Sequence, residues 1–202
     1  MTQPNVYFTL LTPFATFIGL YSNVPEGGAI HPDQAKWFVN ELKNAPRDLP
    51  LFVSMHHPPY SLDNHHSGSP HMLDLLTHSI ESTGRKPEIV MSGHVHNYQR
   101  FTKTDGRDER PYLVAGGSGY WNLHKMAKIN GEKIIPPYTV PDSDVTLENY
   151  VDDNHGFLRL EINSTSIVGR YYTAPRPQDS WSAPAKLADY WEYDWKNHKL
   201  KT

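Results

Sequence analysis

The sequence contains no cysteine. Disulfide bonds and thiolate metal sites are therefore excluded, and cysteine usage gives no indication of the redox compartment. Any metal ion bound by this chain must take its ligands from histidine, aspartate, glutamate, asparagine or backbone oxygens. Histidine is well supplied, with twelve among the 202 residues.

The chain also lacks a strong excess of positive or negative charge. The formal net charge is −3, and no block of like charge exceeds a few residues. Nothing in this distribution predicts a nucleic-acid groove or a basic membrane-binding face, so we expect neither nucleic acid nor a membrane as partner. The apolar stretch at 6–21 has no Lys or Arg before it, is interrupted by Pro13 and is shorter than a membrane span. It predicts neither a signal peptide nor a transmembrane segment.

The pattern of apolar residues predicts an α/β fold with a mixed β-sheet and flanking helices. Residues 6–21 have the composition of a β-hairpin with a turn at Pro13. Downstream, the strand LPLFVSM at 49–55, a helix at 71–83 and the strand PEIVMS at 87–92 form a βαβ unit, whose two strands must be parallel. Further elements are a helix at 31–45, strands at 110–117, 155–162 and 166–173, and a long loop over 130–154. We predict one domain over 1–202, with an aromatic-rich tail at 175–202.

Histidines follow both strands of the predicted βαβ unit. His56 and His57 come after the first strand, and His94 and His96 come after the second. Ligands collect at the carboxyl ends of parallel strands, so these side chains should lie close together. On extended backbone, residues i and i+2 point to the same side, and Gly93 would leave room for the chain to bend before the pair. The sequence therefore predicts a metal site at this edge of the sheet.

The His-x-His spacing occurs in several metal folds, and three of them do not fit. A metallo-lactamase-like site would continue with Asp-His, where this chain has Asn97 and Tyr98. A cupin would need a glutamate a few residues later, where this chain has Gln99, Arg100 and Phe101. An amidohydrolase carries the pair on the first strand of a long barrel, and too little chain follows here.

Two motifs fit another family. The segments VSMHHPPYS at 53–61 and SGHVHNYQR at 92–100, with the pair His65–His66 between them, resemble the last sequence blocks of the calcineurin-like metallophosphoesterases, and most of all those of the purple acid phosphatases. The helix at 31–45 resembles the Gln-x-x-Trp-Leu helix of that family. The resemblance covers roughly residues 5–175. It implies that the chain corresponds to the second half of an α/β/β/α sandwich.

The resemblance also implies roles for individual residues. His56 and His94 would bind one ion of a metal pair (Fe, Zn or Mn) and His96 the neighbouring ion. His57 occupies a variable position of the motif, and we predict a loop residue there. His66, or alternatively His65, would face the phosphate of a small phosphoester substrate and donate a proton to the leaving group. A hydroxide activated by the metals would attack phosphorus.

Parts of the family pattern are missing from this sequence. No Gly-Asp segment for the bridging carboxylate and no Gly-Asn-His segment occurs anywhere in the chain. Without the carboxylate, the repulsion between two adjacent dications is uncompensated, so a tight dinuclear site in this chain alone is not expected. We therefore expect weak or no phosphatase activity. A non-catalytic metal-binding or assembly module, and a half-enzyme completed by another chain, stay open as alternatives. An exposed sheet face or edge could drive homo-oligomerisation or bind a complementing N-terminal half.

Four other features have less specific explanations. AGGSG at 115–119 lacks the Lys-Ser/Thr of a phosphate loop and is predicted to be a turn at a strand end. For Tyr98 and Arg100 we predict packing and hydrogen bonding, and for His155 a structural role at the start of a strand.

The compartment is not predicted, although the family resemblance would allow a secreted or periplasmic protein.

Overall fold

The computed structural model describes residues 6–23, 28–176, 178 and 182–201. Two helices lie in this part of the chain, α1 (Pro32–Asn44) and α2 (Pro70–Thr83). The strands are β1 (Phe8–Leu11), β2 (Thr16–Gly19), β3 (Leu51–Met55), β4 (Ile89–Ser92), β5 (Tyr98–Asp105), β6 (Asp108–Ala115), β7 (Lys128–Ile129), β8 (Glu132–Lys133), β9 (Tyr138–Thr139), β10 (Val145–Val151), β11 (Gly156–Ile162), β12 (Ser166–Thr173), β13 (Lys186–Asp194) and β14 (Lys199–Lys201). Among the described residues, no helix is long and apolar enough to span a membrane.

Eight strands form one mixed sheet, in the order β1-β2-β3-β4-β6-β5-β10-β9. The strands β2, β3, β4 and β6 are parallel, and β5 and β10 are antiparallel to their neighbours. The predicted N-terminal hairpin is the antiparallel pair β1 and β2, and α2 is the crossover between the parallel strands β3 and β4. The predicted fold class, a mixed sheet with flanking helices, is confirmed.

Both helices begin and end at residues that satisfy their free backbone groups. The ring nitrogen Nδ1 of His31 accepts a hydrogen bond from the Asp33 N–H at the start of α1, and the Ser69 hydroxyl accepts one from the Met72 N–H at the start of α2. Each helix has a proline in its first turn, where no N–H is needed. Gly84 ends α2 with φ 63°, a left-handed conformation that glycine adopts without strain.

Each face of the eight-stranded sheet is covered by a different layer. The helices cover one face, where Phe38 of α1 and Leu76 of α2 pack in the same core cluster as Val53 of β3. The four-stranded antiparallel sheet β11-β12-β13-β14 covers the other face, where Trp191 packs in the same cluster as Phe52. The sheet face that we expected to be exposed is therefore buried by the C-terminal strands, whereas β1, whose described partner is β2, lies at a sheet edge.

Three strands of the large sheet, β5, β9 and β10, were wrongly predicted or missed. Residues 130–154 were predicted as a loop, but they contain β8, β9 and the seven-residue strand β10. No strand was predicted over 98–105, where YQR ends the histidine motif, yet the sequence YQRFTKTD forms β5. Its polar side chains Gln99, Arg100 and Thr102 are buried. A strand buried through polar side chains has no apolar alternation by which sequence inspection would find it.

The predicted tail contains one central strand and one edge strand of the second sheet. Residues 186–194 and 199–201 are the strands β13 and β14, and Trp191, Tyr193 and Trp195 are buried. The other tryptophan of this region, Trp181, lies outside the described residues. The extent of the single domain over 1–202 stays a prediction.

A buried carboxylate connects the two sheets. Asp189 of β13 accepts hydrogen bonds from the Tyr98 hydroxyl at 2.8 Å, from Nε of Arg100 at 2.7 Å and from Nδ2 of Asn149 at 2.9 Å. Burial acts to raise the pKa of Asp189, but the hydrogen bonds and charge of Arg100 outweigh it and the pKa is lowered. The predicted packing role of Tyr98 and Arg100 stays a prediction, and this network gives it a physical basis.

Replacing Asp189 with Ala should cost about 3–5 kcal/mol of unfolding free energy, because the Arg100 guanidinium would stay buried without its counter-ion. The matched control is Glu161→Ala, which removes an exposed carboxylate paired with Arg159 and Arg170 on the second sheet and should cost about 1 kcal/mol or less. Urea unfolding of both variants measures the difference. Similar losses in the two variants would show that the Asp189 network is not a main source of stability.

Candidate metal centre

The parallel strands β3 and β4 deliver the first two pairs of histidines to one edge of the sheet. Met55 pairs with Ser92 at the last position of the ladder, and the Gly93 N–H donates to the carbonyl of His56 at 3.1 Å. His56 and His57 follow one strand and His94 and His96 the other, as the sequence predicts. The elements that hold the candidate site are thus fixed by the centre of the sheet.

The backbone of the segment Gly-His-Val-His is folded, not extended. His94 has φ 62°, and the N–H groups of Val95 and Asn97 donate to the carbonyls two residues earlier at 2.6 and 2.8 Å. The expectation based on extended backbone is therefore wrong. A left-handed φ is strained for a residue with a side chain and is found preferentially at functional sites.

The turn at the histidine segment depends on Gly116, whereas the sequence predicted a need for Gly93. A Cβ atom on Gly93 would meet nothing closer than 3.8 Å, so the predicted need for space there is wrong. A Cβ on Gly116, at the end of β6, would lie 2.0 Å from the carbonyl oxygen of Val95. The Gly116 N–H also donates to the carbonyl of Asn97. Gly116 of the AGGSG turn therefore packs directly against the backbone of the histidine segment.

His56 and His94 face each other through their ring nitrogens. Nε2 of His56 lies 3.2 Å from Nδ1 of His94. Two imidazole nitrogens bound to one tetrahedral Zn²⁺ lie roughly 3.3 Å apart, given Zn–N distances of about 2.0–2.1 Å. The pair therefore has a separation that a shared ion would also give. Within the described ranges, no three His, Asp or Glu side chains stand together as a metal-binding group.

The ionisation of His94 suits a metal ligand. Burial first, then the nearby imidazoles of His57 and His66, lower the pKa of His94 from 6.5 to about 4. The ring is thus neutral at pH 7, with a lone pair available on one nitrogen. His57, the predicted loop residue, is buried with its ring centroid 4.4 Å from that of His94, and its Nδ1 lies 3.1 Å from the Ser22 hydroxyl.

A buried aspartate positions the loop that carries the other histidine pair. Oδ1 of Asp63 accepts the N–H groups of both His65 and His66 at 2.8 Å, and its Oδ2 accepts Nδ2 of Asn97 at 3.0 Å. The loop is thereby fastened to the segment that follows His96. It places the His66 ring beside that of His94, with centroids 4.5 Å apart. The roles predicted for His65 and His66, phosphate binding and proton donation, stay predictions.

His96 faces a different group of side chains. Its Nδ1 lies 2.9 Å from the carbonyl of Asn122, and its ring centroid is 4.4 Å from that of Tyr120 and 4.3 Å from that of His124. His94 instead contacts His56, and the two histidines of the motif thus serve separate parts of the cluster. Their assignment to separate metal ions stays a prediction.

His124 belongs to the cluster and was missed from the sequence. It is buried, and its Nδ1 has no hydrogen-bond partner in the part of the chain that the structure describes and lies 3.6 Å from Oδ1 of Asp63. Burial lowers the pKa of His124, against the opposing effect of Asp63. His124 is a single histidine with no ligand spacing around it. The available signal is its position shortly after β6, the strand that pairs with β4.

Comparisons with known proteins identify the kind of fold. No family model matches the chain. Purple acid phosphatase 21 of Arabidopsis thaliana is 25% identical over 166 residues, which cover 79% of this chain and 35% of that protein. Purple acid phosphatase 15 of the same plant is 30% identical over 120 residues, covering 54% of this chain and 22% of that protein. The chain distantly resembles part of a purple acid phosphatase.

Solved structures agree on the fold of this purple acid phosphatase-like chain. The purple acid phosphatase PPD1 from yellow lupin (Lupinus luteus) seeds superposes with a TM-score of 0.68 at 16% identity, covering 95% of this chain and 33% of that one. PhoD gives 0.67 at 10% identity, over 98% of this chain and 43% of that one. GAP50, the anchor in the inner membrane complex of Plasmodium, gives 0.55 at 16% identity, over 93% and 56%. The chain spans about a third or less of the curated relatives.

Substituting Gly116 tests the packing beneath the histidine segment. Gly116→Ala should lower the unfolding free energy by about 1–3 kcal/mol, because the new Cβ forces the Val95 carbonyl to move. The control is Gly119→Ala in the same turn, where a Cβ meets nothing within 4 Å and the change should be about 0.5 kcal/mol or less. Urea unfolding compares the two; an equally mild Gly116 variant would contradict the close approach.

The lowered pKa of His94 predicts a loss of stability in acid. As the pH falls from 6.5 towards 4, the unfolded chain binds a proton at this residue that the folded chain does not, so the unfolding free energy decreases. His94→Gln removes this contribution. Thermal unfolding at pH 7 and pH 5 in the presence of a chelator should show a smaller drop for this variant than for the unmodified chain.

The exposed His78 of α2 supplies the control for that measurement. His78→Gln should retain the full pH dependence of the unmodified chain. If His94→Gln and His78→Gln behave alike, the acid sensitivity does not originate at His94.

Proposed function

We propose that this chain contributes the histidine-bearing half of a metal-dependent phosphoesterase that hydrolyses small phosphomonoesters. The observation that carries the proposal is the His56–His94 pair, with 3.2 Å between its facing nitrogens, at the adjacent ends of β3 and β4. The resemblance to purple acid phosphatases supports the same reading. Because the chain spans only part of those proteins, the activity of the whole enzyme is itself part of the proposal.

The histidines of the cluster have different proposed roles. His56 and His94 would hold one ion, and His96 would face the position of the other ion of the family site. When bound, such ions polarise the phosphate and lower the pKa of a water molecule. His66, held by Asp63 beside His94, carries a proton to the leaving oxygen, and His65 supports the phosphate. Histidine is suited to that transfer because its ordinary pKa lies near neutrality.

The donor set limits what the chain does alone. Three neutral imidazoles cannot offset the repulsion between two dications, which is the task of the bridging carboxylate in the family. A single, weakly held ion is what His56 and His94 support. The alternatives are a non-catalytic module that retains the histidines, and a half-enzyme whose carboxylates are supplied by another chain.

Calorimetric titration with Zn²⁺ and Mn²⁺ tests the proposed site. The unmodified chain should bind about one ion weakly, and both His56→Ala and His94→Ala should abolish that binding because each removes one of two imidazole ligands. His78→Ala, which removes an exposed histidine from α2, should bind as the unmodified chain does. Binding that is absent, or that persists without His94, would contradict the proposed site.

Assays of 4-nitrophenyl phosphate hydrolysis with the metal-loaded chain test the rest. Little turnover is expected from the chain alone, and an increase is expected on mixing with a polypeptide that carries the missing carboxylate segments. Robust turnover by the chain alone would contradict the incomplete site. Metal binding without turnover in any mixture would favour the non-catalytic module.

A further inference from the structure

A short segment after β6 crosses between the two sides of the histidine cluster. We call it the crossing segment and define it as residues 122–127. On one side, the His124 N–H donates to the carbonyl of His96 at 3.0 Å. On the other side, the Asn64 N–H donates to the carbonyl of Lys125 at 3.0 Å. The crossing segment therefore joins the motif that follows β4 to the loop that precedes α2.

The ring of His124 stands between the side chains of these two elements. Its centroid lies 4.3 Å from that of His96, and 5.1 Å from each of those of His65 and His66, which we call the loop pair. Aromatic rings at such separations are in contact. The residue is buried, with 7% of its surface exposed. The position of His96 relative to the loop pair therefore depends on the space that this ring occupies.

Packing alone does not account for a histidine at this position. Nδ1 of His124 is buried without a hydrogen-bond partner among the described residues, and the nearby Oδ1 of Asp63 is 3.6 Å away, beyond hydrogen-bonding distance. A buried polar atom without a partner destabilises the folded state, so an apolar side chain of similar size would serve the core better. Groups of this kind are characteristic of functional sites.

The carboxylate that Nδ1 of His124 faces is the one that holds the loop pair. Oδ1 of Asp63 accepts the N–H groups of His65 and His66, and its Oδ2 accepts Nδ2 of Asn97. Shortening the distance between Nδ1 and Oδ1 by about 0.4 Å would bring the two atoms within hydrogen-bonding range. The polar side of the ring thus faces the group that orients the loop, while the ring itself packs against the histidines.

We propose that His124 is a positioning residue, which keeps His96 and the loop pair at the spacing that a phosphate group bound between them requires. The inference rests on the proposed function and adds the residue that couples the two sides of the site. Groups on two separate elements act together on one ligand only when both are held within about 0.5 Å of the required geometry. His124 supplies this constraint through its backbone, its ring and its approach to Asp63.

His124→Leu tests the inference, because leucine fills a similar volume without ring nitrogens. The midpoint of urea unfolding of the metal-free variant should be unchanged or higher, since a buried unpaired nitrogen is removed. The affinity of the Zn²⁺-loaded chain for inorganic phosphate, measured by calorimetric titration, should nevertheless fall about tenfold. An unchanged affinity, or a parallel loss of stability and affinity, would overturn the inference.

His124→Asn is the conservative variant. Asparagine places a polar atom near the position of Nδ1, so phosphate affinity should stay within about threefold of that of the unmodified chain. The control is Met126→Leu, a volume-conserving change of a buried side chain in the crossing segment, which should leave the affinity unchanged. If either variant loses as much affinity as His124→Leu does, the effect is not specific to the polar ring and the inference is wrong.

Amide hydrogen exchange of the metal-free chain measures the positioning without any ligand. The N–H groups of the loop pair, which donate to Asp63, should exchange about tenfold faster in His124→Leu, because the loop opens more often. The amides of β3 and β4 should exchange as in the unmodified chain. Unchanged exchange at the loop pair would contradict the inference.

The inference and the proposed function fail in different ways. His124→Leu leaves the proposed ligands His56 and His94 in place, so its affinity for Zn²⁺ should equal that of the unmodified chain. If the unmodified chain binds no Zn²⁺ or no phosphate, the proposed function is wrong and the inference is overturned with it. If the unmodified chain binds both and His124→Leu binds phosphate equally well, the inference alone is overturned.

Discussion

The parallel pairing of β3 with β4 is the constraint on which the candidate site depends. The two strands are central and buried, and their ladder ends at Met55 and Ser92, so the residues that follow must emerge side by side. The hydrogen bond from Gly93 to His56 extends the pairing by one more step. The separation of the His56 and His94 nitrogens thus follows from the geometry of the sheet.

Around this core, the loops are held by side-chain to backbone hydrogen bonds. Asp63 connects the loop at 64–67 with Asn97, and Gln99 in turn accepts a hydrogen bond from the Leu62 N–H. These groups are buried, so each would be costly to leave without a partner. The conformation that brings His66 to His94 is therefore maintained by polar groups behind the cluster.

How far the sequence predicts this molecule depends on which forces shape each part. The hairpin, both helices and the strands β3, β4 and β6 have apolar periodicity or caps, and were predicted. The strand β5 is buried largely through Gln99, Arg100 and Thr102 and therefore has no clear apolar alternation. β10 does bury Val145 and Leu147, but it lies in a stretch rich in Pro, Asp and Asn that was predicted as a loop. The residue types and the βαβ topology were enough to predict that His56 and His94 lie close together. The left-handed turn at His94 and the inclusion of His124 depend on close tertiary approach, such as that of Gly116, which no local pattern reveals.

The Asp189 carboxylate joins the last long strand to the first strand after the histidine segment. Tyr98 and Arg100 stand two and four residues beyond His96, and both donate to this one acidic group on β13. One buried acidic group thus joins the second sheet to the strand that follows the histidine segment, although Arg100 and Asp189 are 89 residues apart in the sequence. A chain cut before β13 would therefore leave the Arg100 guanidinium, four residues beyond His96, without the carboxylate that neutralises it.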